Sequence, residues 1–161
     1  MTAKAMDLAS AKISRADQDA LREILSLLEA VDLPRDGVAE HLDSFMIARN
    51  GQGRLAGCIG MERHGRLGLL RSAAVTPEFQ RSGLGTRLTR TILQDASQQE
   101  LSEVLLLTTT AREFFEKRFG FRVVDRAGYN EQLASSSEWR LPRCSSAVLM
   151  KVEIGPPAAI F

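Results

Sequence analysis

The chain has 161 residues, 44% of them apolar, which is one domain's length and enough to bury a core without disulfides or metals. Its 21 Lys plus Arg stand against 20 Asp plus Glu, and a net charge of +1 argues against a polybasic nucleic-acid or membrane-surface protein. Two cysteines, Cys58 and Cys144, and two histidines, His41 and His64, are too few for a disulfide scaffold or a zinc cluster.

Residues 1–10 carry Lys4 and Asp7 and no apolar stretch, so no signal peptide is expected there. No apolar run approaches the ~20 residues of a membrane span. The expectation is a single soluble, cytoplasmic domain over residues 1–155 with a tail at 156–161. Ser14 predicts a helix N-cap, with Asp17 completing an approximate capping box. Leu21, Ile24, Leu25 and Leu28 then lie on one helical stripe. The helix should stop before Leu33-Pro34, and Arg35 to Leu42 suggests a second, short one.

Three strands on short turns follow: Ser44–Arg49, Arg54–Arg63 and Leu67–Val75, separated by Asn50-Gly51-Gln52-Gly53 and His64-Gly65-Arg66. They read as an antiparallel meander. A polar loop from Pro77 to Gly83 leads into a helix reaching about Gln98, with Leu84, Leu88, Ile92 and Ala96 on one face. Glu103–Thr108 is a short apolar strand of the kind buried on both faces. Strand, helix and strand in that order imply a right-handed crossover to a parallel neighbour. Thr110 predicts the cap of a further helix over 111–118, ending near Gly120. Strands are expected at 121–124 and 147–154, and the segment 127–139 reads as loop or short helix.

The chemistry lies in Val75-Thr76-Pro77-Glu78-Phe79-Gln80-Arg81-Ser82-Gly83-Leu84-Gly85-Thr86. A strand ends, and a glycine-bearing loop opens directly into a helix. Its N–H groups lack intrahelical partners and sit at the positive end of the helix dipole, an arrangement that binds phosphates. Gly83 and Gly85 permit positive φ and close approach of a ligand, and Arg81 and Arg87 add charge. A nucleotide P-loop needs Lys-Ser or Lys-Thr after its last glycine, where this chain has Thr86-Arg87. A dinucleotide fingerprint needs three glycines in an early parallel unit. The remaining common phosphate carrier is coenzyme A.

Gln80-Arg81-Ser82-Gly83-Leu84-Gly85 resembles the Gln/Arg-x-x-Gly-x-Gly/Ala pyrophosphate loop of the GCN5-related N-acetyltransferases (GNAT). The element order, with Phe114-Phe115 before Gly120-Phe121, extends the resemblance over residues 4–153. It implies an α/β GNAT fold: a mixed, mostly antiparallel sheet of six to seven strands, helices on both faces, and parallel strands splayed apart at the acetyl-CoA site. Leu69 to Val75, Leu107 to Ala111, Val124-Asp125-Arg126 and Cys144 to Met150 are similar to small acetyltransferases associated with arsenic resistance. Those in turn resemble the acetyltransferase domain of N-acetylglutamate synthases. The implied reaction is direct acetyl transfer from acetyl-CoA to the amine of a small amino-acid-like acceptor, without a metal.

In the family picture acetyl-CoA is held by Gln80, Arg81, Ser82, Gly83, Leu84, Gly85 and Thr86, by backbone around Ala74 and Val75, and by Phe115. Glu62 is the candidate base for the acceptor ammonium. The bland reading is an exposed strand-end glutamate paired with Arg63 or Arg66. Arg71, with Ser72, is the candidate clamp for an acceptor carboxylate; otherwise it pairs with a neighbouring acid. The tyrosine that protonates the leaving thiolate in many members is missing. Counting back from Gly120 puts Glu116 in its slot, and matching the aromatic pair puts Phe115 there. Tyr129, the chain's single tyrosine, reads as a surface residue, and His41 and His64 as surface or turn residues. Asp125-Arg126 reads as a structural pair, and Trp139 as either a pocket wall or a core cap. Cys58 and Cys144 read as buried small residues rather than acetyl carriers. Two competing functions stand beside the enzyme on a small acceptor: a non-catalytic acyl-CoA-binding module and a protein N-acetyltransferase. The resemblance also implies a homodimer formed through sheet edges or the last strand.

Overall fold

The computed structural model describes residues 11–141 and 146–155. The terminal segments 1–10 and 156–161, and Cys144, lie outside the described residues.

The described residues open with a strand, β1 (Lys12–Arg15), where a helix cap is expected at Ser14. Ser14 pairs with Ile47 in an antiparallel ladder, so its backbone is extended and its hydroxyl is not at a helix start. Asp17 does the capping, accepting from the Ala20 N–H at 3.0 Å. A short 3-10 turn then leads into α1 (Leu21–Ala30), whose Ile24, Leu27 and Leu28 are buried. The helix ends before Leu33-Pro34 as the proline requires. The short helix expected over 35–42 lies slightly later, as 3-10 turns at Ala39–Ser44.

The meander follows as β2 (Phe45–Arg49), β3 (Leu55–His64) and β4 (Leu67–Val75). Phe45 faces Gly60 in the β2–β3 ladder, and a Cβ at Gly60 would stand 2.3 Å from its ring. Helix α2 (Leu84–Gln98) buries Leu84, Leu88, Ile92 and Ala96. β5 (Glu103–Thr108) pairs in parallel with β4, joining Leu67–Leu70 to Glu103–Leu106. β4 runs on to Val75 and β5 to Thr108. The expected crossover is therefore present.

α3 (Arg112–Phe119) is not capped by Thr110. The Thr108 hydroxyl accepts from the N–H groups of Thr110 and Ala111, and so satisfies the turn that enters the helix. Gly120 closes α3 in the left-handed region, φ 74°. β6 (Arg122–Val124) and β7 (Val148–Glu153) complete a seven-stranded mixed sheet in the order β1-β2-β3-β4-β5-β7-β6. The last strand is thus flanked on both sides, by β5 and β6. The edges of the sheet are β1 and β6.

The chain divides into two compact units. One comprises residues up to Met61 with Ser72–Ile92, and its core gathers Ile24, Leu28, Phe45, Ile47, Cys58 and Ala74. The other comprises Glu62–Arg71 and Leu93 onward, with a core of Leu67, Leu69, Leu105, Leu133, Trp139 and Leu149. No helix among the described residues is long and apolar enough to cross a membrane.

Candidate functional site

In the first unit, the loop leaving β4 is shaped by its own side chains. Pro77–Phe79 form a 3-10 turn anchored by the buried Phe79 ring. Gln80 Nε2 donates back to the Val75 carbonyl at 3.2 Å. The Ser82 hydroxyl donates to the Phe79 carbonyl and accepts from the Leu84 N–H, which meets one of the unpaired donors at the start of α2. Gly83 has φ 89°, and a Cβ there would meet nothing within 4 Å. Arg81 also has positive φ, 64°, at a cost that glycine would avoid. Gly85 differs from expectation: it shows no positive φ, and a Cβ there would make only ordinary contact with Val75 Cγ2 at 3.9 Å. The side chain of Thr86 is half-buried, and Leu84 is buried beneath the loop. Arg87 reaches away to the Ala11 carbonyl, 3.0 Å. The Thr76 hydroxyl, where β4 gives way to the loop, is buried without a hydrogen-bond partner. An open, glycine-lined turn at the start of a long helix, with an unsatisfied hydroxyl beside it, fits a phosphate-bearing ligand.

Ser72 interrupts β4. Its φ of 58° puts a non-glycine residue in the left-handed region in mid-strand. Its carbonyl accepts from the Cys58 thiol at 3.3 Å. Burial pushes that thiol up to about 12, so Cys58 is an inert packing residue and not a nucleophile.

The second unit holds a buried charged cluster. Glu62 and His64 are two residues apart on β3, hence on one face. The Glu62 carboxylate accepts from His64 Nε2 at 2.9 Å and from Arg71 Nη1 at 2.7 Å. Ser136 bonds it as well. Burial alone would raise the Glu62 carboxyl, but these three hydrogen bonds outweigh it and hold the group at about 2. Glu138 stands on the other side of the guanidinium, its Oε2 4.0 Å from Arg71 Nε and without a hydrogen-bond partner. Burial, against the attraction of Arg71 and with the repulsion of Glu62, pushes its carboxyl up to about 7. Ser135 Oγ lies 3.4 Å from His64 Nδ1, and the Trp139 N–H donates to Ser136 Oγ.

With both geometries in hand, comparison with known proteins decides the family. The Acetyltransferase (GNAT) family matches residues 12–121. The chain belongs to this family. By family it is an acetyltransferase. An uncharacterised N-acetyltransferase of Chlorobaculum tepidum is 26% identical over 122 residues, 75% of this chain and 74% of that protein. The N-acetylglutamate synthase of Neisseria gonorrhoeae, solved with coenzyme A and N-acetyl-glutamate, is similar in fold with a TM-score of 0.74 and 22% identity. The match covers 90% of this chain, which spans about a third (35%) of that protein's length. A Mycobacterium tuberculosis protein solved with CoA gives a TM-score of 0.73 at 22% identity, over 89% of this chain and 99% of that one.

Within this GNAT chain, the structure brings Glu62 and Arg71 together. It places Gln80 to Gly83 on the loop and Leu84 to Thr86 in the first turn of α2, with Ala74 and Val75 on the strand that feeds the loop. Glu62 is fully buried and does not pair with Arg63 or Arg66 through any described contact; Arg63 turns to Gln99. Arg71 is enclosed and engaged by Glu62, so its guanidinium is not an open clamp. The Phe115 ring is buried in an edge-on group with Phe114, at 5.0 Å, and Phe121, at 5.4 Å. Trp139 caps the second core under the Arg126 guanidinium, 4.6 Å away. Asp125 caps the turn at Arg126–Tyr129, and Tyr129 is half-buried there. His64 is no surface residue: its side chain is only 10% exposed. Glu138 and Thr76 escaped the sequence reading. Glu138 sits in a segment without periodicity, and its one signal was a carboxylate next to an apolar Trp139.

Proposed function

We propose that the chain transfers the acetyl group of acetyl-CoA to the amine of a small amino-acid-like molecule. The observation that carries the small acceptor is enclosure. The Glu62, Arg71 and Glu138 side chains are 0%, 0% and 10% exposed, a setting for a compact polar group rather than an extended basic peptide. The relative that holds N-acetyl-glutamate supports the same class. Acetyl-CoA supplies an activated acetyl thioester. The loop from Gln80 to Thr86 would hold its pyrophosphate through backbone donors, and backbone at Ala74 and Val75 would align its arm. Positioning of this kind supplies much of the rate in a direct transfer. Glu62 serves as the fixed counter-charge that keeps Arg71 in place, because a carboxylate held at about 2 is too weak a base for an ammonium. The likeness to arsenic-resistance enzymes extends the proposal to arsinic and phosphinic relatives of glutamate.

The test is release of free CoA thiol from acetyl-CoA. The panel holds glutamate, other α-amino acids, phosphinic and arsinic glutamate analogues, polyamines and a basic peptide. Turnover confined to amino-acid-like compounds is the expected result. Turnover with the basic peptide alone, or silence across the panel while acetyl-CoA still raises the melting temperature, overturns this acceptor class.

A further inference from the structure

Among the described residues, the charged cluster contains one group that the contacts leave over. Glu62 has Arg71, His64 and Ser136. Glu138 has only a long approach to Arg71 Nε, and its Oε2 is buried without a hydrogen bond. A buried carboxylate oxygen with no donor is costly and normally finds one. The charges make the same point. Arg71 stands between two carboxylates, so with Glu62 and Glu138 both ionised these three side chains hold one buried negative charge in excess. What the site lacks is a cation with N–H donors. The acceptor of an N-acetyltransferase arrives as such a cation, an ammonium.

We propose that Glu138 receives the acceptor's ammonium and takes its proton, because its buried Oε2 has no partner and the guanidinium beside it is already engaged by Glu62. This rests on the small-amine reading above. In the step, an N–H bond of the ammonium breaks and an O–H bond forms on Glu138. The nitrogen keeps the electron pair and becomes a neutral nucleophile, and the proton on Glu138 returns to solvent as the product leaves. The carboxyl is suited to the work: raised to about 7, it is a far stronger base than Glu62 while still ionised in part at neutral pH. Among the described residues, the charged and titratable groups facing it are Arg71 on β4 and Glu62 on β3, with His64 behind Glu62 on β3.

The experiment compares wild type, Glu138→Gln and His64→Asn by kcat and kcat/KM against pH, on the acceptor that the thiol assay finds. The expected wild-type profile rises through a limb near neutrality. Glu138→Gln should lower kcat by roughly 10²- to 10⁴-fold and abolish the limb, while the rise in melting temperature with acetyl-CoA stays as in wild type. His64→Asn should keep the limb. Wild-type kcat with the limb intact in Glu138→Gln overturns the proposal, and so does a limb lost in His64→Asn alone. If the panel yields no acceptor, the small-amine reading fails first, and Glu138 is tested separately in wild type. Its carboxyl is followed by carbon NMR across pH with and without excess methylammonium. A lower apparent pKa with the cation supports an ammonium site, and an unmoved titration overturns it. The same NMR arm decides the matter if Glu138→Gln does not fold.

Discussion

At the scale of single residues, the two buried glutamates act on stability in opposite directions. Glu62 is held at about 2 against an ordinary 4.5, so its contribution is present above pH 4.5 and is lost as pH falls toward 2. Glu138 is the reverse. Between 4.5 and about 7 the folded chain holds a proton at Glu138 that the unfolded chain has released. Raising the pH through that window therefore favours unfolding, by an amount that reaches roughly 3 kcal/mol. Glu138→Gln has no such titration. Its stability relative to wild type should climb from pH 5 to pH 8, read by urea unfolding at the two values. A difference that does not change with pH would show that Glu138 is not buried in ionisable form. The variant would then be more stable and less active at pH 8, the mark of a group kept for function at a cost in stability. The Glu62–Arg71 pair makes a second case. Arg71→Met or Glu62→Leu alone strands a buried charge and should destabilise by about 3–5 kcal/mol. The double variant removes both charges and should lose much less than the two losses added together. Additive losses in that cycle would show that the pair is not coupled.

At the scale of elements, the strained point is Ser72 in β4. With φ at 58°, a β-branched residue is more strongly disfavoured than serine, and glycine relieves the strain. Ser72→Val should destabilise by about 2 kcal/mol, whereas Ser72→Gly should be neutral or stabilising by up to about 1 kcal/mol. Equal effects of the two in thermal unfolding would remove the strain argument. No sequence signal pointed to this irregularity, because Leu67 to Val75 carries no glycine or proline at the strained position and reads as one strand. Other elements were legible for definite reasons. β4 and β5 match their expected bounds because turn residues flank β4 and Val104–Leu107 is a continuous apolar run in β5. α2 was legible from four apolar residues at four-residue spacing. β1 was not, because Lys12–Arg15 carries one apolar residue and its pairing with β2 is set by partners more than thirty residues away. Ser14 and Thr110 failed as caps for one shared reason. A side chain that can cap is recognised locally, but Asp17 and Thr108 held the geometry.

For the molecule as a whole, strand order followed from local rules only in part. The meander and the parallel crossover come from turn lengths and from β5's apolarity on both faces, but the insertion of β7 between β5 and β6 comes from pairing across long connections. The same divide separates the loop in the first unit from the charged cluster in the second. The proposed cofactor segment is contiguous and was legible as Gln80 to Thr86, whereas the cluster adds Glu138, more than sixty residues on, to Glu62 and Arg71 of consecutive strands, and that third member was not legible. Contiguity also gives the loop a whole-molecule readout. A ligand that binds only the folded chain stabilises it by about 2.7 kcal/mol at a hundred times its Kd. For a chain of this size that corresponds to a rise of roughly 5–10 °C in Tm. If the proposed loop holds the phosphates, Gly83→Glu should abolish this rise by placing bulk and negative charge there. A Cβ at Gly83 meets no neighbour, so the free variant should lose only the stability that a left-handed φ costs a side chain, about 1–3 kcal/mol. Gly83→Ala bears the same backbone strain without the charge and should keep part of the acetyl-CoA response. A full response in Gly83→Glu would remove the loop from the cofactor site, whatever the acceptor proves to be.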